Sequence, residues 1–141
     1  MTELDALFTL FTASCQQQSR GFALPPGDKE RGKTAFLKLH CNECHSVADI
    51  EWAGNPEELH YVLGGSVIFT KTYGELVTSI INPSHKIAQQ YYEQDLTSVD
   101  NTSKMAIYND LMTVQELVDI VSFLEAEYEI ERPITYYPIF H

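Results

Sequence analysis

The chain has 141 residues, 44% of them hydrophobic, and a formal net charge of −11 at pH 7. That length suits one domain with a modest core, and the acidic balance argues against nucleic acid or anionic lipid as partners and for a basic patch on another protein. No run of about 18 apolar residues occurs, so the sequence predicts no transmembrane helix.

Leu4 to Ala13 is a short, mostly apolar run, and Thr12-Ala13-Ser14 places small residues before Cys15. This resembles the lipobox of bacterial lipoproteins, which makes Cys15 a candidate lipid anchor. The acidic opening Met1-Thr2-Glu3-Leu4-Asp5 and the Thr at position 12 depart from that pattern, and a short amphipathic helix with an incidental thiol is the competing reading. Gln16 to Ser19 and Leu24-Pro25-Pro26 read as a tether. Residues 1–26 are thus expected to be a signal-like segment and tether, 27–130 the domain and 131–141 an extended aromatic tail.

Asp28 is placed as an N-cap, and Lys29 to Leu39 has helical spacing with Ala35, Phe36 and Leu39 on one face. Gly32 shares that face with Phe36. A glycine there costs about 1 kcal/mol relative to alanine, so it calls for close approach by a second helix.

Cys41-Asn42-Glu43-Cys44-His45 follows. Two thiols three residues apart with an imidazole directly after the second are the sequence form of c-type haem attachment. On one helical turn, residues i and i+3 share a face, so Cys41 and Cys44 can each add to a vinyl group of one porphyrin, leaving His45 beside the ring as proximal iron ligand. A structural zinc site would need four ligands, and no second Cys-x-x-Cys or His-x-x-x-His pair occurs in the chain. A dithiol redox motif would open a helix after a strand, whereas the residues before Cys41 read as a helix.

Gly27-Asp28, Gly32, Phe36 and Cys41 to His45 together resemble the opening of a class I monohaem cytochrome c of bacterial, periplasmic type. The stretch TYGELVTSIINPSH from Thr72 to His85, with Tyr108-Asn109-Asp110, resembles a subset of bacterial monohaem cytochromes. The resemblance covers residues 28 to 128. It implies an all-α class I cytochrome c fold, with N- and C-terminal helices crossing and a middle helix and loops wrapped around one covalently bound haem c.

Between the haem motif and the middle helix, Asn55-Pro56 and Gly64-Gly65 are turn signals, and Trp52, Leu59, Tyr61, Val62 and Leu63 are candidates to wall the haem. The family usually places a Gly-Pro here whose carbonyl holds the proximal histidine. This chain has no clean equivalent, and Pro56 is the nearest candidate. His60 reads as a rim histidine rather than a ligand.

Thr72-Tyr73-Gly74-Glu75 has the form of a capping box, so a helix should start at Tyr73, with Leu76, Val77, Ile80 and Ile81 as its apolar face and Asn82-Pro83 as its stop. His85, after that break, is the second candidate for the distal iron ligand. Gln89 to Asn101, with Tyr91 and Tyr92, reads as a polar surface excursion.

Thr113-Val114-Gln115-Glu116 is a second capping box, followed by Leu117, Val118, Ile120, Val121 and Leu124 at helical spacing. Met112 then falls where an apolar residue staples onto Leu117, which explains it without iron. Met105 sits in the irregular segment before this helix, and the resemblance implies it as the distal ligand. Ala106 stands where the family commonly has proline, which leaves that loop softer. Phe123 and Tyr128 are expected on the last helix, as partners of Gly32 and Phe36.

Iron held by His45 and Met105 has no vacant position, and a soft sulfur ligand favours the ferrous state. The expected function is therefore one-electron transfer between periplasmic or membrane-bound redox proteins by a non-enzymatic carrier, lipid-anchored if Cys15 is modified. The alternatives are a haem c subunit of a larger dehydrogenase or oxidase, docking through the aromatic tail, and a haem protein with an open site for catalysis or gas binding.

Overall fold

A computed structural model describes residues 24–57, 59–87 and 102–131. The lipobox-like segment with Cys15, the excursion carrying Tyr91 and Tyr92, and the tail from 132 onward lie outside the described residues.

Helix α1 (Lys29–Lys38) starts where the sequence predicts, because the Asp28 side chain accepts from the Arg31 N–H and so satisfies one of the donors that a helix start leaves open. Helices α2 (Tyr73–Ile81) and α3 (Val114–Ala126) both open with a complete capping box, Thr72 with Glu75 and Thr113 with Glu116. Between α1 and α2 lie a short 3-10 turn (Cys41–Glu43) and three strands, β1 (His45–Val47), β2 (Tyr61–Leu63) and β3 (Gly65–Val67), and β4 (Tyr128–Ile130) follows α3.

The strands overturn the all-α expectation. β1 pairs in parallel with β2, setting His45 opposite Tyr61, and β3 pairs in parallel with β4, setting Gly65 opposite Tyr128. Among the described residues the architecture is mixed: three helices with two small two-stranded parallel sheets. The expected class I cytochrome c fold, written as helices and loops alone, therefore does not describe this chain. The physical reason lies in the segments between helices, which satisfy backbone donors and acceptors against one another across long sequence separations rather than locally. Tyr128 is also corrected. α3 ends at Ala126, and Tyr128 stands in β4, packed against the Leu76, Leu117 and Val121 cluster instead of Gly32 and Phe36.

The core sits between α1 and α3. Phe36 and Phe123 are both buried and meet edge to face with ring centroids 5.9 Å apart, a geometry that adds about 0.5–1.5 kcal/mol to their area burial. Ala35, Leu39, Val47, Ile50, Ile120 and Leu124 complete this cluster. A second cluster of Leu76, Leu117 and Val121 joins α2 to α3, and Met112 packs against both.

Asp119 is the one buried charged residue among those described, at 3% exposure. Its carboxylate accepts from the Asp28 N–H at 2.7 Å, from Arg31 Nε and Nη2 at 2.9 and 3.0 Å, and from Gln115 Nε2 at 2.9 Å. The Arg31 hydrogen bonds hold it well below the usual carboxylate range, at about 2. A charge so fully bonded can sit in a core face. Lys38 and Glu116, 2.6 Å apart, tie the same two helices at a more exposed point.

Candidate functional site

The Cys41–His45 stretch occupies the corner between α1 and β1. The turn begins at His40, which takes the left-handed backbone conformation with φ 57° and lies 3.2 Å from Glu43 through Nδ1. Inside the turn, Glu43 N–H donates to the His40 carbonyl at 3.1 Å and Cys44 N–H to the Cys41 carbonyl at 3.3 Å. Neither Cys41 nor Cys44 is in a disulfide. Cys41 is half-buried, packed on the main core, and burial pushes its thiol up to about 11. Cys44 is exposed. One thiol is therefore anchored in the fold and the other faces outward.

His45 leads into β1 with its ring 5.6 Å from that of Tyr61. Burial, with a smaller contribution from the nearby Lys71 ammonium, lowers its pKa to about 4, so the imidazole is neutral at pH 7 and keeps a free lone pair. Its Nδ1 is buried and has no hydrogen-bond partner among the described residues. Such an orphan is uncommon in native folds and calls for an explanation. Pro56, expected to supply a carbonyl to this ring, is exposed and does not do so.

The other predicted residues separate. Met105 is half-buried, and its N–H donates to Ser103 Oγ at 3.2 Å, while Ser103 N–H donates to Ser84 Oγ at 3.1 Å, stitching this segment to the chain just past α2. Asn109 Nδ2 adds a bond to the Ile81 carbonyl at 3.0 Å. Met105 belongs to neither core cluster, whereas Tyr108, three residues on, packs with Cys41 against the main core. Burial raises the Tyr108 phenol, with smaller contributions from the charges of Cys41 and Cys44. His85 is exposed, and Met112 is packed between the two clusters, as its staple position predicts. His60 is exposed, stacked on Trp52 at 4.8 Å and bonded to Ser46 Oγ at 2.8 Å.

Of the expected haem wall, Leu63 packs on the main core and Val62 is 76% exposed. Phe69 at 88% and Ile107 at 67% are large apolar side chains left in water. The role of Trp52 was not legible from sequence: its indole Nε1 donates to the Glu43 carbonyl at 2.8 Å, within the turn itself. As the sole tryptophan, eight residues past Cys44, it was the available signal. Among the described residues, no three His, Cys, Asp or Glu side chains cluster as a metal site. Comparison of the chain with protein-family models, with curated proteins and with solved structures finds no match.

Proposed function

We propose that this chain is a monohaem c-type cytochrome that carries single electrons between redox proteins in the periplasm or at a membrane surface. Cys41 and Cys44 would hold one haem c as thioethers, and His45 and Met105 would be its iron ligands. The reading is carried by one observation: two thiols and a neutral imidazole with an orphaned buried nitrogen share a single five-residue corner.

The residues present fit that group. Each thiol can add its S–H across one vinyl double bond, and the neutral His45 ring offers a lone pair to a metal without first losing a proton. When bound, the haem supplies a one-electron ferric/ferrous couple.

The remaining work belongs to the protein. With both His45 and Met105 holding the iron, no position on it would be left for substrate. The Met105 thioether would favour the reduced state. The surrounding acidic chain, at −11 overall, would steer a partner with a basic patch at a rate that falls with salt.

The test is the visible spectrum of protein matured in a haem-attaching host. A ferric charge-transfer band that reports sulfur ligation, lost in Met105→Ala and kept in His85→Ala, supports the assignment. Rapid, complete carbon monoxide binding by the reduced wild-type protein at neutral pH would instead indicate an open iron.

A further inference from the structure

The attachment corner is held mainly from outside. A single 3-10 turn is marginal by itself, and the internal bond from Cys44 N–H to the Cys41 carbonyl is long at 3.3 Å. Yet three consecutive carbonyls of the corner each accept a 2.8 Å hydrogen bond from the chain that follows β1: Asn42 from Ala53 N–H and Glu43 from Trp52 Nε1, both in the loop between β1 and β2, and Cys44 from Tyr61 N–H at the start of β2.

That loop is itself fixed. Val47 and Ile50, at its start, are buried and bridge each other in antiparallel fashion. Gly54 lies so close that a Cβ there would overlap the Glu43 carbonyl oxygen and crowd the Trp52 indole. His60 stacks on the other side of Trp52 with its ring 13° from parallel and is bonded to Ser46, next to His45. Trp52 is thus clamped between the corner and the returning chain.

We propose that Trp52 is a positioning residue, and that Trp52, Ala53 and Tyr61 form a clasp holding Cys41, Cys44 and His45 in one fixed arrangement before the cofactor is attached. The inference rests on the haem reading for its purpose. A corner ordered in advance leaves less entropy to be lost at attachment. The contribution of Trp52 lies in its N–H and not only in its ring, so phenylalanine should preserve the stack on His60 and still loosen the corner.

The test uses the full chain with its thiols reduced and no haem, so failure of the clasp is separable from failure of the haem reading. In wild-type protein, the Trp52 indole proton and the Ala53 and Tyr61 amide protons should exchange with solvent slowly. In Trp52→Phe, alkylation of Cys41 and exchange at Ala53 and Tyr61 should speed up by roughly three- to tenfold, the size expected for one net hydrogen bond, while Phe36 and Val121 amides stay as protected as before. Unchanged Cys41 alkylation in Trp52→Phe overturns the proposal, and so does equal acceleration at Phe36 and Val121, which would make Trp52 a general stabiliser. Should Trp52→Phe not fold, the wild-type protein decides: an indole proton that exchanges as fast as in free tryptophan overturns the clasp, and a protected one supports it.

Discussion

Gly32 lies directly against the Asp119 backbone, so closely that a Cβ at position 32 would overlap the Asp119 carbonyl oxygen and crowd Phe123 Cβ. This contact lets α1 and α3 come near enough for Phe36 to reach Phe123 and for Arg31 to reach the Asp119 carboxylate. Gly32→Ala gains helix propensity of about 1 kcal/mol but must push one backbone off another, so the packing loss wins. With a packing cost at the upper end of ~1–3 kcal/mol, a net destabilisation of about 2 kcal/mol is expected, and a urea melt of the variant beside wild type measures it. Phe36→Ala, which removes a ring only 2% exposed, should cost about 3–5 kcal/mol in the same assay.

Acid stability should follow the carboxylates that tie α1 to α3. Asp119, bonded by Arg31, and Glu116, bonded by Lys38 and the Thr113 N–H, are both lowered to about 2 in the folded protein. A depressed folded value means that their contribution is complete above the ordinary carboxylate range near pH 4 and is lost as pH falls toward about 2. Asp49, held down by Lys33, and Glu75, held down by Thr72, act in the same direction. Urea midpoints measured across that window should fall steadily for wild type. The fall should be shallower in Asp119→Asn and Glu116→Gln, each starting from lower stability at neutral pH.

The two downstream methionines should separate by kind of effect. Met112 packs against both core clusters, so Met112→Ala should lower stability by about 2 kcal/mol and leave the visible spectrum of haem-loaded protein unchanged. Met105 belongs to neither cluster, so Met105→Ala should melt close to wild type before haem attachment. After it, the sulfur-ligation band should disappear and carbon monoxide should bind on reduction. Melting curves and spectra of both variants check this together.

The helix starts were legible because each rests on residues within one turn: Asp28 with Arg31, Thr72 with Glu75, and Thr113 with Glu116. The Gly32 contact and the Phe36–Phe123 pair could also be anticipated, since a glycine on an apolar helix face has few other causes. The strands could not. Three-residue segments such as Gly65–Val67 and Tyr128–Ile130 show no alternation to read, and their pairing depends on where α3 returns the chain. Gly64 and Gly65, at φ 83° and 80°, read as a turn, and the turn delivers Gly65 N–H to the Glu127 carbonyl at the end of α3. The same limit hid Asp119, which interrupts the apolar run Leu117 to Val121 and two of whose partners, Asp28 and Arg31, lie at the start of another helix. Of the site, the Cys41–His45 motif was visible as spacing, whereas the bonds from Trp52, Ala53 and Tyr61 to three of its carbonyls needed the path of the chain after β1.

The most direct test of the central claim is chemical: express the full chain alongside a c-type haem attachment system, extract with acidified acetone and weigh the protein that remains. Pigment that stays with the chain, at the mass of one haem, and that is lost from the double variant Cys41→Ala, Cys44→Ala is the predicted result. A colourless wild-type chain at its unmodified mass, or pigment that leaves with the solvent, would contradict the account.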